Sequence, residues 1–153
     1  MFKKVSDIIE LIERYHRGLS DYFLSLKTQS MDERVDLLLE HLGGSEAFMA
    51  EYLEKYRKST PYRIMSAWVK YVPWLPTDIF CECQENLYLE PPLETYNVLE
   101  AAVHFDDCLI DFYTTLVRGI QDERVAEIFS NLLRVTKKHE MNLSRDIAWL
   151  NDL

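Results

Sequence analysis

KTQSMDERV (residues 27–35) and VRGIQDERV (residues 117–125) carry the same tetrapeptide, Asp-Glu-Arg-Val, ninety positions apart. In each copy the aspartate (Asp32, Asp122) is placed to cap a helix, and Glu33 or Glu123 beside it favours the positive end of the helix dipole. Overlaying residues 5–57 on 95–147 at this offset needs no gap. It also matches Glu10 with Glu100, Leu19 with Leu109, Asp21 with Asp111, Leu26 with Leu116, Leu42 with Leu132 and Leu53 with Leu143. Apolar positions fall on apolar positions, which reads as an internally duplicated pair of helices.

Proline placement sets the limits of the two copies. All five prolines (Pro61, Pro73, Pro76, Pro91, Pro92) lie between positions 61 and 92. Proline lacks an amide donor and clashes inside a helix, so the flanking stretches, about 4–58 and 94–150, are free to be helical. Each is broken once, at its DERV segment. Within each helix apolar residues recur at alternating spacings of four and three. The first runs Val5, Ile9, Ile12, His16, Leu19, Phe23, Leu26, and the second Val35, Leu39, Leu42, Glu46, Met49, Leu53, Tyr56. The third runs Leu99, Ala102, Asp106, Leu109, Tyr113, Leu116, and the fourth Val125, Phe129, Leu132, Thr136, His139, Leu143. Such stripes are the seams of a bundle. The expectation is an all-α, antiparallel four-helix bundle of two duplicated hairpins, a single domain over 1–153 with a partly helical crossover at about 59–93.

Composition excludes several classes. Apolar residues are 48% and charged residues 28% of the 153, which suits a globular core and not a disordered chain. No stretch has the length and apolarity of a membrane span. The net charge of −9 argues against nucleic acid and anionic membrane as partners, since phosphate binding rests on Lys and Arg. MFKKVSDIIELIERY mixes charges with apolar residues and shows no cleavage site, so it does not read as a signal peptide. Three cysteines, an odd number, suggest a reducing cytoplasm.

The crossover is rich in apolar side chains. YRIMSAWVKYV (62–72) reads as a short helix with Ile64, Met65, Trp68, Tyr71 and Val72 on one side. TDIFCECQENLYL (77–89) reads as another, capped by Thr77, turning Ile79, Phe80, Cys83 and Leu87 inward. These pieces either cover the bundle or form the surface of a homodimer, the latter because aromatic residues such as Trp68 and Trp74 are enriched at interfaces.

Each seam is apolar except near its middle, where His16, Glu46, Asp106, Thr136 and His139 occur. Under the overlay His16 matches Asp106, Glu46 matches Thr136 and Met49 matches His139, so these positions meet at one level. A buried, unpaired carboxylate is costly, so the acids and imidazoles at that level must neutralise one another or hold a cation.

An acidic residue on the first helix of each hairpin and Glu-x-x-His on the second, duplicated across a crossover, resembles the ferritin-like superfamily (ferritin, bacterioferritin, rubrerythrin). The resemblance covers both hairpins. It implies two irons at the centre and oxidase, peroxidase or iron-storage chemistry. Carried over by position, the first-helix glutamate is His16 here, and the second-helix pair is Glu46 and Met49. The third-helix glutamate is Asp106, and the fourth-helix pair is Thr136 and His139. Two of the six positions keep the family residue, which implies a degraded di-iron centre. His16, Glu46, Asp106 and His139 still make a two-nitrogen, two-oxygen set for one divalent ion (Fe, Zn or Mn), with Thr136 and Met49 behind it. The alternative is a metal-free hydrogen-bonded network of His16 with Glu46 and Asp106 with His139. The functional expectation is therefore a structural or small-molecule-binding bundle, with a single-ion metalloprotein as the competing reading.

Other features carry less. Gly43-Gly44, before Glu46, suggests either close approach of another backbone, such as the crossover, or room for a ligand. Cys81 and Cys83 point apart on a helix and, with Cys108, read as packing residues. His41 and His104 flank the seams as partly exposed polar side chains. Tyr15, Tyr22 and Tyr113 lie on or beside the core face. No nucleophile motif or phosphate loop is present.

Overall fold

A computed structural model describes residues 1–151. Four long helices carry the architecture: α1 (Val5–Leu26), α2 (Glu33–Ser59), α5 (Thr95–Arg118) and α6 (Glu123–Asn151). The two hairpins begin and turn in register, since α1 and α5 start at positions 5 and 95, and α2 and α6 at 33 and 123. Both DERV aspartates act as caps. Asp32 accepts a hydrogen bond from the Arg34 amide, and Asp122 accepts from the amides of Arg124 and Val125. These side chains satisfy amides that a helix start leaves unpaired.

α1 packs along α2, and α5 along α6. The start of α1 sits beside Ala67, whose carbonyl accepts from the Val5 amide, and Ala67 and Ile64 border a surface cavity with Asp122 and Val125. One end of the bundle therefore gathers the starts of α1 and α6 and the ends of α2 and α5. The chain must return along the bundle's full length between α2 and α5, and this length explains the long crossover. On its way it passes the middle of α1, where Gly18 leaves room for the Phe80 ring; a Cβ at Gly18 would lie 3.1 Å from Phe80 Cδ1.

The crossover departs from the helical expectation. Only Tyr62–Met65 (α3) and Ile79–Gln84 (α4) are helical, and Trp68–Lys70 (β2) pairs antiparallel with Phe2–Lys4 (β1). Val69 and Tyr71 point inward while Trp68 and Lys70 point out, a period of two that suits a strand and not a helix. Trp68 consequently lies 64% exposed and does not cover the core as the helical reading of 62–72 had it; Trp74, beyond that segment, is 75% exposed. That covering is supplied by Met65, Val69, Tyr71, Leu75, Ile79 and Cys83. The cap of α4 is Asp78, which accepts from the Cys81 amide, one residue beyond the expected Thr77. No described helix is long and apolar enough to cross a membrane.

The cysteine reading is corrected as well. Cys83 and Cys108, 25 residues apart, form a disulfide between α4 and α5, and Cys81 is the free thiol. An odd cysteine count leaves room for a pair plus one, so it carries no information on compartment. Gly43 is explained by α1, not by the crossover. A Cβ there would lie 2.8 Å from Leu24 Cγ, and Ser20 Oγ donates to the Gly43 carbonyl at 2.7 Å. Gly44 is exposed, with open space around it.

Candidate functional site

Halfway along the bundle the four long helices each place one ionisable side chain inward. His16 Nδ1 lies 2.5 Å from Glu46 Oε2, and His139 Nδ1 lies 2.6 Å from Asp106 Oδ2. His16, Glu46 and Asp106 are buried, while His139 is partly open to solvent. Each hairpin thus closes its own imidazole–carboxylate pair, with the roles reversed. In the first hairpin the imidazole is on the leading helix, and in the second the carboxylate is.

The two pairs are close enough to act on each other. The Glu46 charge raises both Asp106 and His139, and His16 lowers Asp106. Burial nevertheless dominates at Asp106 and pushes its carboxyl up, while the hydrogen bond that His139 donates to Asp106 pushes its imidazole up. The second pair therefore holds a proton to a higher pH than a free imidazole would. Beneath this layer Tyr15 and Tyr113 are fully buried, and burial together with the Glu46 charge pushes both phenols well up.

A cavity of about 210 Å³ opens beside these groups, between α2 and α6. His16, Glu46, Asp106 and His139 all reach it, and Met49, Leu109 and Val135 give it apolar walls. Ser45 and Phe48 also border it. Among the described residues neither His16 Nε2 nor His139 Nε2 has a protein hydrogen-bond partner. Thr136 lines the cavity too, but its hydroxyl donates to the Leu132 carbonyl of its own helix at 2.9 Å.

Three groups of residues escaped the sequence reading. Glu13, 1% exposed, takes both hydrogen bonds of the Arg57 guanidinium, at 2.7 and 3.2 Å. Glu13 lies one residue off the seam series, so periodicity assigns it to the flank. His104 is half-buried, as expected of a flanking histidine, but its partner was not foreseen: its Nε2 donates to the Cys83 carbonyl at 2.9 Å. The signal for it was His104 and Cys108 at i and i+4 on one face of α5. Ser45 and Phe48 at the cavity mouth had no signal, because both lie off the stripe. His41 is exposed, as expected of a flanking histidine.

The donor set bears directly on iron. Two irons need bridging, charge-balancing carboxylates, whereas this layer holds two carboxylates, each already bonded to an imidazole.

A crystal structure from Thermotoga maritima, provisionally described as a ferritin-like diiron-carboxylate protein, superposes with a TM-score of 0.62 over 95% of both chains at 17% identity. The chain has the ferritin-like fold. No protein-family model matches the sequence, and no curated protein is significantly similar to it. The ferritin-like frame is thus shared at an identity where the residues of the centre are free to differ.

Proposed function

We propose that this chain is a divergent ferritin-like protein without a complete di-iron centre, acting as a structural or small-molecule-binding bundle. One observation carries the reading: both core carboxylates are already engaged within the protein, Glu46 hydrogen-bonded to His16 and Asp106 to His139. The cavity beside them has an apolar wall and two free imidazole nitrogens. That combination suits a small ligand with an apolar body and one hydrogen-bonding head. The test is elemental analysis after growth with added Fe, Zn and Mn. The expected result is far less than one equivalent of any of them, and a stoichiometric metal lost in His139→Ala overturns the proposal.

A second reading rests on the same pairs seen differently. Histidines that ligate metals commonly hand their other ring nitrogen to a carboxylate, which fixes tautomer and direction. Here Nδ1 of each imidazole is so held, leaving Nε2 of His16 and His139 for one divalent ion, Fe, Zn or Mn. In that reading Glu46 and Asp106 orient the ligands as well as supply charge. The double variant His16→Leu with Glu46→Leu separates the two. Replacing a buried pair by apolar side chains is neutral or stabilising when the pair is only structural. Loss of a bound metal in that variant supports the second reading instead.

The homodimer expected from the aromatic crossover is supported by the exposure of Trp68 and Trp74. Light scattering decides it: a mass that stays at 18.2 kDa through the micromolar range rejects the dimer.

A further inference from the structure

His104, Cys108 and Asp111 stand at i, i+4 and i+7, one stripe along α5 that faces away from the central layer and toward α4. α4 brings Cys83 to that stripe. Its position is held by features independent of the sulfur atoms: Asp78 caps it, Ile79 is buried, and Phe80 stacks on Phe105 with ring centroids 5.7 Å apart. A donor atom from each of Cys83, His104 and Cys108 falls within 4.8 Å of the other two. His104 Nε2 is 3.9 Å from Cys108 Sγ, and it also holds the Cys83 carbonyl at 2.9 Å. A cavity of about 250 Å³ opens against the two sulfurs and is lined by Asp111, Glu82 and Trp74.

We propose that Cys83, Cys108 and His104 form a redox-gated site for a single soft divalent cation of the Zn²⁺ class, with Asp111 or water completing a tetrahedral set. Two thiolates, one imidazole and an open fourth position make a donor set that zinc accepts. In the disulfide form the sulfurs are committed to each other and the site is closed. Reduction by an external dithiol transfers two electrons and two protons, giving two thiols here and a disulfide on the reductant. Metal binding then releases both thiol protons. The imidazole moves its proton from Nε2 to Nδ1, exchanging the hydrogen bond to Cys83 for a metal bond. Oxidation by a small-molecule disulfide reverses the sequence: the Cys83–Cys108 bond re-forms, the reagent takes two protons from water and leaves as two thiols, and the cation is expelled. α4 thus couples the redox state of the solution to what is held against α5. This inference stands apart from the function proposed above, because the central layer contains no thiolate.

The experiment uses the full chain, with Co²⁺ as probe and Zn²⁺ as competitor. In the oxidised chain one thiol, Cys81, titrates with a thiol reagent, and Co²⁺ produces no sulfur band. In the reduced chain all three thiols titrate, and one equivalent of Co²⁺ gives thiolate-to-metal charge-transfer absorption that Zn²⁺ abolishes. Cys83→Ser and Cys108→Ser each lose the band, His104→Gln weakens binding, and Cys81→Ser keeps the band. A reduced, fully titratable wild-type chain without the band overturns the proposal, and so does loss of the band in Cys81→Ser alone. The oxidised-against-reduced comparison of the unaltered chain decides the matter even if a serine variant fails to fold.

Discussion

The Tyr15 hydroxyl donates to the main-chain carbonyl of Phe105 at 2.7 Å, and the two residues are ninety positions apart. That separation is the offset of the internal repeat, so the bond joins equivalent points of the two hairpins. His16 and Asp106, the next residues along, are equivalent in the same way and point into the central layer. The bond therefore pins α1 to α5 at the level where the ionisable groups meet. Tyr15→Phe should remove about 1 kcal/mol of stability, because the Phe105 carbonyl keeps its helical partner and only one net hydrogen bond is lost. Denaturant melts that show no change, or a loss several times larger, would contradict this account.

Glu13 and Arg57 supply a further ion pair between α1 and α2, with Glu13 buried one helical turn before His16. Removing the cation by Arg57→Met leaves Glu13 with only Arg17, 3.7 Å away and half exposed. A loss of about 3 kcal/mol is expected, the lower end for breaking a buried pair, because Arg17 compensates in part. The double variant Glu13→Leu with Arg57→Met should recover most of it, and a double-mutant cycle measures the coupling.

The two adjacent glycines of α2 should respond differently to alanine. A Cβ added at Gly44 would meet nothing within 4 Å, so Gly44→Ala gains helix propensity of about 1 kcal/mol. At Gly43 the same gain is opposed by the 2.8 Å approach to Leu24 Cγ. Thermal melts should rank Gly44→Ala above wild type and above Gly43→Ala.

Glu140 gives a pH dependence. A hydrogen bond with Asp107, then burial and the charges of Asp107, Asp106 and Asp111, push its carboxyl from 4.5 up to about 7. Glu140 Oε2 is buried with no donor of its own, so a shared proton is what satisfies the pair. The folded chain then binds more protons than the unfolded chain between about pH 4.5 and 7, and stability falls as pH rises through that window. Glu140→Gln should abolish that part of the slope and raise stability at pH 8 by about 1 kcal/mol, given the screening of a partly exposed group. Metal-free protein melted at pH 5 and pH 8 provides the measurement.

Much of the molecule follows from the chain's local rules. Asp32 and Asp122 start helices because a carboxylate satisfies free amides, and the four-three spacing of Val5 through Leu26 dictates which face turns inward. Such terms act over a few residues, so they can be read from the order of residues alone. Duplication adds which levels of the two hairpins correspond, and hence that His16, Glu46, Asp106 and His139 lie near one depth.

Tertiary packing decided how those groups are joined. His16 bonds Glu46, and Asp106 bonds His139, the pairing that the sequence offered as one of two arrangements; the relative rotation of the packed helices selects it. The same holds for Arg57 reaching across to Glu13 and for the antiparallel pairing of Phe2–Lys4 with Trp68–Lys70. Cys83 meets Cys108 because the crossover must span the length of the bundle and runs beside α5 on the way. Each of these links residues far apart in the chain. Their closeness depends on the packing of rigid helices against one another, which no local preference encodes.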